Sequence, residues 1–517
     1  MKGIDSFAEN KVQTRKNLFS NILNLVANVC IGLFYTPYLV HNLGIAAYGV
    51  LPLVLIVNQY IGVITSSLTS SLTRFYTINL QQGKIEEASR CISTALAVIF
   101  ILFAVLIIPI GSIIAYVDRI FTIPPELLAQ TRLLFVLTIS GFFLSLVSSI
   151  MNITLYANNR LDHLNLIKTI RMVLKLLFVV LLFSTFSKQI IYVGHANLLT
   201  EIIVLIFSFY FFFRFTSKDI KINLRKFDKP ILISMLGMTT WVMIIQLGDT
   251  GIYRIDNLII NIFWSTTESG IVGAYSELGS YIMISLSVFS SLFGPLILMA
   301  YSRNKHDEVV RMAADRSFIV GVMAAVAAGL VIGFSSQISR VWLGEEFETY
   351  HLWLILKLVL IPYYTASGVF SFIYRAWNKV KIPALISIIL GSINLIAAIL
   401  VAKLLSPNYT AILIILGTGS LLGITQSYIL NGWYVSKIYP EMKVPVIKNF
   451  ISISIVLVSI SLFSYLVNLV VCFSGIINLL ITGFIVSLIS ILGVMRFILS
   501  KEQRRYLFDL VKWRKSV

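Results

Sequence analysis

The stretch QLGDTGIYRIDNLII, Gln246–Ile260, places two aspartates and an arginine within eight residues of an otherwise apolar region. The apolar run that contains it covers residues 231–263. As one helix those residues would measure about 50 Å, against a bilayer hydrocarbon core of about 30 Å. The segment must therefore tilt and protrude, or break. Gly248 and Gly251 flank Asp249 and Thr250 and offer a bend. At about 100° per residue, Asp249 and Asp256 share a face, with Gln246 and Tyr253 beside them, and Arg254 points away from both. An Asp–Arg pair within the helix is a poor account of these charges. Arg254 needs an acid on another helix, or a cavity in which an anionic substrate supplies the counter-charge, because charge at membrane depth faces protein or water.

The surrounding chain supports membrane depth. It has 517 residues, 58% hydrophobic and 12% charged. The charged share is about half that of ordinary soluble domains. Runs such as residues 92–116 exceed the roughly 20 residues needed to cross a bilayer and lack the alternation of barrel strands. The reading is an all-α polytopic membrane protein with fourteen apolar spans. The net charge of +18 sits in short loops, which points to topology and not to nucleic acid. Lys and Arg cluster after every even-numbered span: Arg74, Lys84 and Arg90; Arg160, Lys168 and Arg171; Arg214 through Lys229; Arg303 through Arg316; Arg375, Lys379 and Lys381; Lys437, Lys443 and Lys448. That asymmetry sets both termini on the cytoplasmic side. No cleavable signal peptide is expected, since residues 1–16 are polar and the first apolar run has no clear cleavage site. Cys30, Cys91 and Cys472 are too scattered for a disulfide framework or a metal site. The loops reach only roughly fifteen to twenty residues, too short for a soluble domain. The basic tail, Lys501–Val517, reads either as a surface amphipathic helix or as a frayed end.

A weak repeat organises the spans. NLGIAAYGV (Asn42–Val50) and ESGIVGAYSELG (Glu268–Gly279) each place Gly-Ile, small residues and a tyrosine at an outer turn, six spans apart. Parallel halves of this kind suit alternating access around a central site. The expected organisation is a cytoplasmic segment 1–16, a six-helix bundle 17–213, a basic linker 214–230, a second, pseudo-symmetric six-helix bundle 231–433, two further spans in 434–498 and a basic tail 499–517.

Polar residues inside the spans are the site candidates. Asn17, Asn21, Asn24 and Asn28 recur at steps of four, three and four on one helical face. They read as a cavity stripe or as hydrogen-bonding glue between helices. Asn58 and Gln59 sit mid-span, and the Ser/Thr-rich end Thr65–Thr73 could pack closely against neighbours. Lys175 and Lys357 are basic residues within spans, with Glu201 and Glu277 as acidic companions. The expected cavity set is Asn21, Asn24, Asn28, Asn58, Gln59, Arg74, Lys175, Gln246, Tyr253, Arg254, Lys357 and Arg375.

NLFSNILNLVANVCIGLFYTPYLVHNLGIAAYG (Asn17–Gly49) and DNLIINIFWSTTESGIVGAYSELG (Asp256–Gly279), with fourteen spans and cytoplasmic ends, carry a chain-long resemblance. The chain resembles bacterial Wzx-type polysaccharide flippases of the MOP superfamily, which also holds MATE exporters and the lipid II flippase. The resemblance implies transport of undecaprenyl-pyrophosphate-linked oligosaccharide from the cytoplasmic to the periplasmic leaflet of the bacterial inner membrane. It implies a cationic cavity, with Arg254, Lys175 and Lys357 central and Arg74 and Arg375 nearer the entrance. Asp249, Asp256 and Glu277 are the candidates for coupling to H+ or Na+. Membrane lipids, a polysaccharide polymerase and a chain-length regulator are implied partners, in O-antigen, lipopolysaccharide or related polysaccharide biosynthesis. No cofactor, metal or nucleic acid is expected. No Walker A motif is present, so an ion gradient or the membrane potential would drive turnover.

Other classes fit less well. A cation-coupled MATE-like exporter of small amphiphiles shares the fold, though that branch usually has fewer spans. A membrane polymerase or glycosyltransferase would need a substantial outer loop, and none is present. A passive scaffold or channel leaves the two-half layout unexplained.

Overall fold

A computed structural model describes residues 2–216, 220, 222–223, 227–291, 297, 300–301, 303, 305–377, 379–471 and 475–505. Cys472, the linker residues Lys218, Lys221, Arg225 and Lys226, tail residues 506–517 and the side chain of Arg74 lie outside the described residues. Regular structure among the described residues is entirely helical. Eleven helical segments among them are long and apolar enough to cross a bilayer, from Phe19–Leu43 to Ile477–Ile498. The helix Leu161–Thr185 falls outside that set because Lys168, Arg171 and Lys175 crowd its apolar stretch. Val105 and Ile108 are 63% and 74% exposed, an arrangement that suits lipid as solvent. The chain is a multi-pass membrane protein. It divides into two compact units, Met1–Thr250 with Asn257–Gly270, and Gly251–Asp256 with Ile271–Val517.

The first unit is built from α1 (Lys2–Leu43), α2 (Ile45–Tyr48), α3 (Val50–Gln81), α4 (Ile85–Ala115), α5 (Val117–Ile120), α6 (Leu128–Met151), α7 (Ile153–Ala157), α8 (Leu161–Thr185) and α9 (Ile190–Phe215), followed by most of α10 (Lys229–Tyr253) and α11 (Ile255–Phe263). α6 packs along α9, α8 lies between α1 and α9, and α3 packs on α4. Apolar clusters fill it, one around Tyr76, Ile92 and Met151, another around Leu53, Leu134 and Phe135 and a smaller one around Ile167 and Val204. The turn at Gly49 and the start of the later turn, at Gly270, meet within this unit. A Cβ on Gly49 would stand 1.9 Å from the Thr266 carbonyl oxygen, and one on Gly270 2.6 Å from that of Ile45. Only glycine permits that approach.

The second unit contains the end of α10, most of α12 (Thr266–Ser291), α13 (His306–Gly333), α14 (Ser335–Trp342), α15 (His351–Leu358), α16 (Ile361–Ala376), α17 (Lys381–Leu404), α18 (Tyr409–Ile424), α19 (Asn431–Ile438), α20 (Lys443–Val470) and α21 (Ile476–Gly493). α13 packs on α20 and α16. Its Ala- and Gly-rich face is buried there, with Ala324, Ala325 and Ala328 fully inside. Lipid tails are as apolar as leucine, so small residues hold membrane helices together by letting backbones approach.

The long apolar run containing QLGDTGIYR breaks, and the interruption falls at Arg254, between α10 and α11. It does not fall between Gly248 and Gly251. Gly251 serves close packing instead, since its Cβ would lie 3.3 Å from the Gly391 Cα on α17.

Candidate functional site

Two polar regions lie inside the helices, one in each unit. In the first unit a cavity of about 510 Å³ opens among α3, α6, α7 and α8. Gly62, Phe142, Leu146, Ile153, Leu164 and Ile167 supply its apolar wall. Thr69, Thr73, Ser145, Ser149, Asn152, Tyr156, Lys168 and Arg171 supply its polar lining. Local geometry explains this mixture. α6 stops at Met151 and α7 restarts at Ile153, so Asn152 stands at the joint and is 8% exposed. Lys168 and Arg171 are one helical turn apart and share a face of α8.

Three of the hydroxyls here have spent their protons. Thr73 donates to the Thr69 carbonyl at 2.8 Å, Ser145 to that of Phe142 at 2.7 Å and Ser149 to that of Leu146 at 2.7 Å. Their remaining lone pairs can only accept. Asn152 Oδ1 is buried with no hydrogen-bond partner among the described residues. Donors include the cations, the Asn152 amide nitrogen and the Tyr156 hydroxyl. Arg171 Nε lies 3.0 Å from Glu201 Oε1, and Glu201 is 7% exposed. Lys168 is accessible and forms no ion pair among the described residues. Lys175, one turn beyond Arg171, stands 5.2 Å over the Tyr35 ring.

The second unit pairs its charges. Arg254, at the interruption, donates to Glu277 at 3.3 Å and to Ser280 at 2.7 Å, both on α12. Lys357 on α15 donates to Asp256, and both side chains are more than nine-tenths buried. Asn394 on α17 donates to the Gly251 and Ile252 carbonyls at 3.1 and 3.3 Å, meeting backbone acceptors next to the break. Tyr253 donates to Gln426 at 3.5 Å, and Gln426 to Ser387 at 2.7 Å. Gln426 lies in a π-helical turn, Thr425–Leu430, a feature that often marks functional positions. Arg254 thus finds its acid on another helix.

The remaining candidates are dispersed. Asn24 donates to Thr169 at 3.0 Å and to the Asn165 carbonyl at 3.4 Å, joining α1 to α8, while Asn17 donates to Asn159 at 3.0 Å. Asn21 is exposed and Asn28 is partly buried. Asn58 is buried, with Oδ1 lacking a partner among the described residues, and Gln59 is partly buried. Gln246 and Asp249 are partly buried in α10, and Arg375 is exposed in the last turn of α16. Among the described side chains, none of the expected cavity residues lines the 510 Å³ cavity. Its basic residues, Lys168 and Arg171, entered the sequence reading only as topology markers. Their spacing with Lys175, three and then four residues, is the signal that marks one basic face.

No family model matches the chain. It is 26% identical over 435 residues to "Uncharacterized membrane protein EpsK" of Bacillus subtilis (strain 168), covering 82% of this chain and 83% of that protein. The lipid II flippase MurJ in an inward closed conformation superposes with a TM-score of 0.66 at 16% identity, covering 97% of this chain and 100% of MurJ. An inward-facing MATE multidrug-resistance transporter of the MOP superfamily gives 0.63 at 14% identity, with 80% and 95% covered. The fold is therefore the one shared by MATE and MurJ transporters.

Proposed function

We propose that this chain is a flippase of the bacterial cytoplasmic membrane that moves undecaprenyl-pyrophosphate-linked oligosaccharide from the cytoplasmic to the periplasmic leaflet. The observation that carries the reading is the cavity in the first unit, where Lys168 and Arg171 meet a hydroxyl-rich wall inside a bundle of membrane helices. A lipid tail can stay in the bilayer while a charged head group crosses in such surroundings. Basic side chains offset the loss of phosphate hydration, and arginine supplies a fixed fork of donors. The arrangement we propose has fourteen spans, cytoplasmic termini and two six-helix halves that alternate access. The specific pathway we propose is surface polysaccharide assembly.

A MATE-like exporter is compatible with the same fold. The sign of the lining argues against cationic amphiphiles, because Lys168 would repel them. For coupling we propose H+ or Na+ entry near Asp249, Asp256 and Glu277. Asp256 and Glu277 already face Lys357 and Arg254, so either would take a further cation only after its pair opens.

The test is reconstitution. In vesicles holding a fluorescent polyprenyl-diphosphate disaccharide, the protein should expose inner-leaflet probe to a membrane-impermeant quencher faster than protein-free vesicles do. Equal rates, together with active efflux of a cationic dye, would replace this reading with the exporter.

A further inference from the structure

We propose that His163 is a pH-sensitive pin that fastens the cytoplasmic end of α1 to the start of α8 while neutral and releases it when protonated. The pin is independent of what the protein transports.

The fastening is a set of hydrogen bonds around the turn between α7 and α8. Asn17 on α1 accepts from the Asp162 backbone N–H at 3.0 Å and donates to the Asn159 carbonyl at 3.0 Å. Asn159 sits in the left-handed region at φ 56°, a conformation that asparagine tolerates better than most residues. Gln13, one turn earlier on α1, donates to Asp162 Oδ1 at 2.8 Å and accepts from Arg160 Nη1 at 3.2 Å. The other terminal nitrogen of Arg160, Nη2, stands 3.0 Å from His163 Nε2. Arginine has no lone pair to offer and keeps its charge throughout the pH range of proteins. His163 Nε2 must therefore accept, so the ring is neutral with its proton on Nδ1. Arg160 thus bridges a titrating ring to α1.

The surroundings hold the ring in that pose. It packs against Phe211 and Phe215 of α9 with centroids 4.8 and 5.2 Å away, and Arg160 lies 5.0 Å over the same Phe215 ring. Among the described residues, the charges facing it from α1, the turn, α8 and α9 are Lys16, Arg160, Asp162 and Arg214. The three cations oppose a proton on Nε2, and only Asp162, 3.9 Å away, favours one. His163 lies at the cytoplasmic end of α8, ahead of its apolar stretch. Burial and then those cations hold its pKa below the usual histidine value.

Protonation replaces the acceptor by a donor and sets two cations in contact, so Arg160 must leave and Gln13 loses its bond to it. A histidine that holds its proton less tightly when pinned stabilises the pinned state fully above about pH 6.5, its free value. That contribution is lost as pH falls through the lower, pinned value. Deeper along the same contact, Asn165 donates to Ser20 at 3.1 Å and Asn24 to Thr169 at 3.0 Å. Neither bond titrates, so acid frees the cytoplasmic turns of α1 and leaves its deeper part in place.

Amide hydrogen exchange of the detergent-solubilised full chain, corrected for the intrinsic pH dependence of exchange, tests the pin. Between pH 7.5 and 5.5, opening at residues 13–17 should rise about tenfold, the most that one histidine of free pKa about 6.5 supplies over that interval. Residues 24–28 should stay protected. His163→Gln keeps an acceptor for Arg160 and cannot titrate, so residues 13–17 should stay protected at both pH values. His163→Lys sets a permanent cation against Arg160, and residues 13–17 should be open at both. Exchange at residues 13–17 that is flat with pH in the native chain would overturn the pin. A Gln variant that keeps the native rise would do so too, since another group would then be titrating. So would a Lys variant as protected as the native chain at pH 7.5. If either variant does not fold, Arg160→Gln removes the bridging cation and should raise opening at pH 7.5 with no further rise on acidification. A tenfold pH response surviving in Arg160→Gln would overturn the pin.

Discussion

The basic residues of α8 and those of the second unit are placed by opposite rules. In the second unit Arg254 pairs with Glu277 and Lys357 with Asp256. On α8, Arg171 pairs with the buried Glu201, while Lys168 beside the same cavity forms no ion pair among the described residues. Matched charge holds helices in register. Surplus charge beside a cavity costs desolvation that a purely structural role would not require. The difference separates residues that build the protein from residues that wait for an anion, although both groups look alike in the sequence.

The comparison is most exposed at Lys357. Lys357→Met leaves Asp256 buried and unpaired, which should cost about 3–5 kcal/mol and lower the thermal transition of the purified protein. Lys357→Met combined with Asp256→Leu should recover most of that loss, because removing both charges removes the uncompensated one. Lys168→Met should change stability by less than about 0.5 kcal/mol, since no partner is left behind. Similar losses for Lys357→Met and Lys168→Met would end the distinction between matched and surplus charge.

A middle-sized effect is expected at Glu201. Glu201→Gln removes the acid paired with Arg171 and should cost about 1.5–3 kcal/mol through the lost charged interaction. The same change leaves Arg171 without its anion and raises the positive field on the cavity. Affinity for farnesyl diphosphate should therefore rise while the thermal transition falls. A variant that loses both stability and affinity would show that Glu201 shapes the cavity and does not merely balance it.

Much of the fold is legible in the residues. Apolar runs of bilayer length and the one-sided distribution of Lys and Arg point to a polytopic helical protein, and the length of residues 231–263 requires a break or a protrusion. The position of the break is not legible, because Gly251 is spent on close approach to Gly391 and the interruption moves to Arg254. Helical phase shows that Arg254 must look beyond its own helix. It does not show that Glu277 is the partner, which depends on how α12 packs. The cavity is the least legible part. Lys168 and Arg171 sit where loop-proximal basic residues mark topology, and only their helical spacing with Lys175 sets them apart. Asn152 gives no sequence signal, because its role comes from the joint between α6 and α7.

The smallest predicted effect concerns the asparagine stripe. Asn24 bonds to Thr169 and to the Asn165 carbonyl, so it belongs with the matched groups that hold helices together. Hydrogen bonds between membrane helices average about 0.6 kcal/mol in double-mutant cycles, because a loosened helix finds other partners. Asn24→Ala should therefore lower the thermal transition only slightly and leave the affinity for farnesyl diphosphate–N-acetylglucosamine unchanged. Asn394→Ala removes the donor to two carbonyls beside the break and should cost more, about 1–3 kcal/mol, by leaving backbone acceptors unmet. If Asn24→Ala instead reduces sugar-probe affinity tenfold at unchanged stability, the stripe belongs to the path of the head group. The surplus-charge wall of α8 would then extend to α1, and the line between building and binding residues would have to be redrawn through the first unit itself.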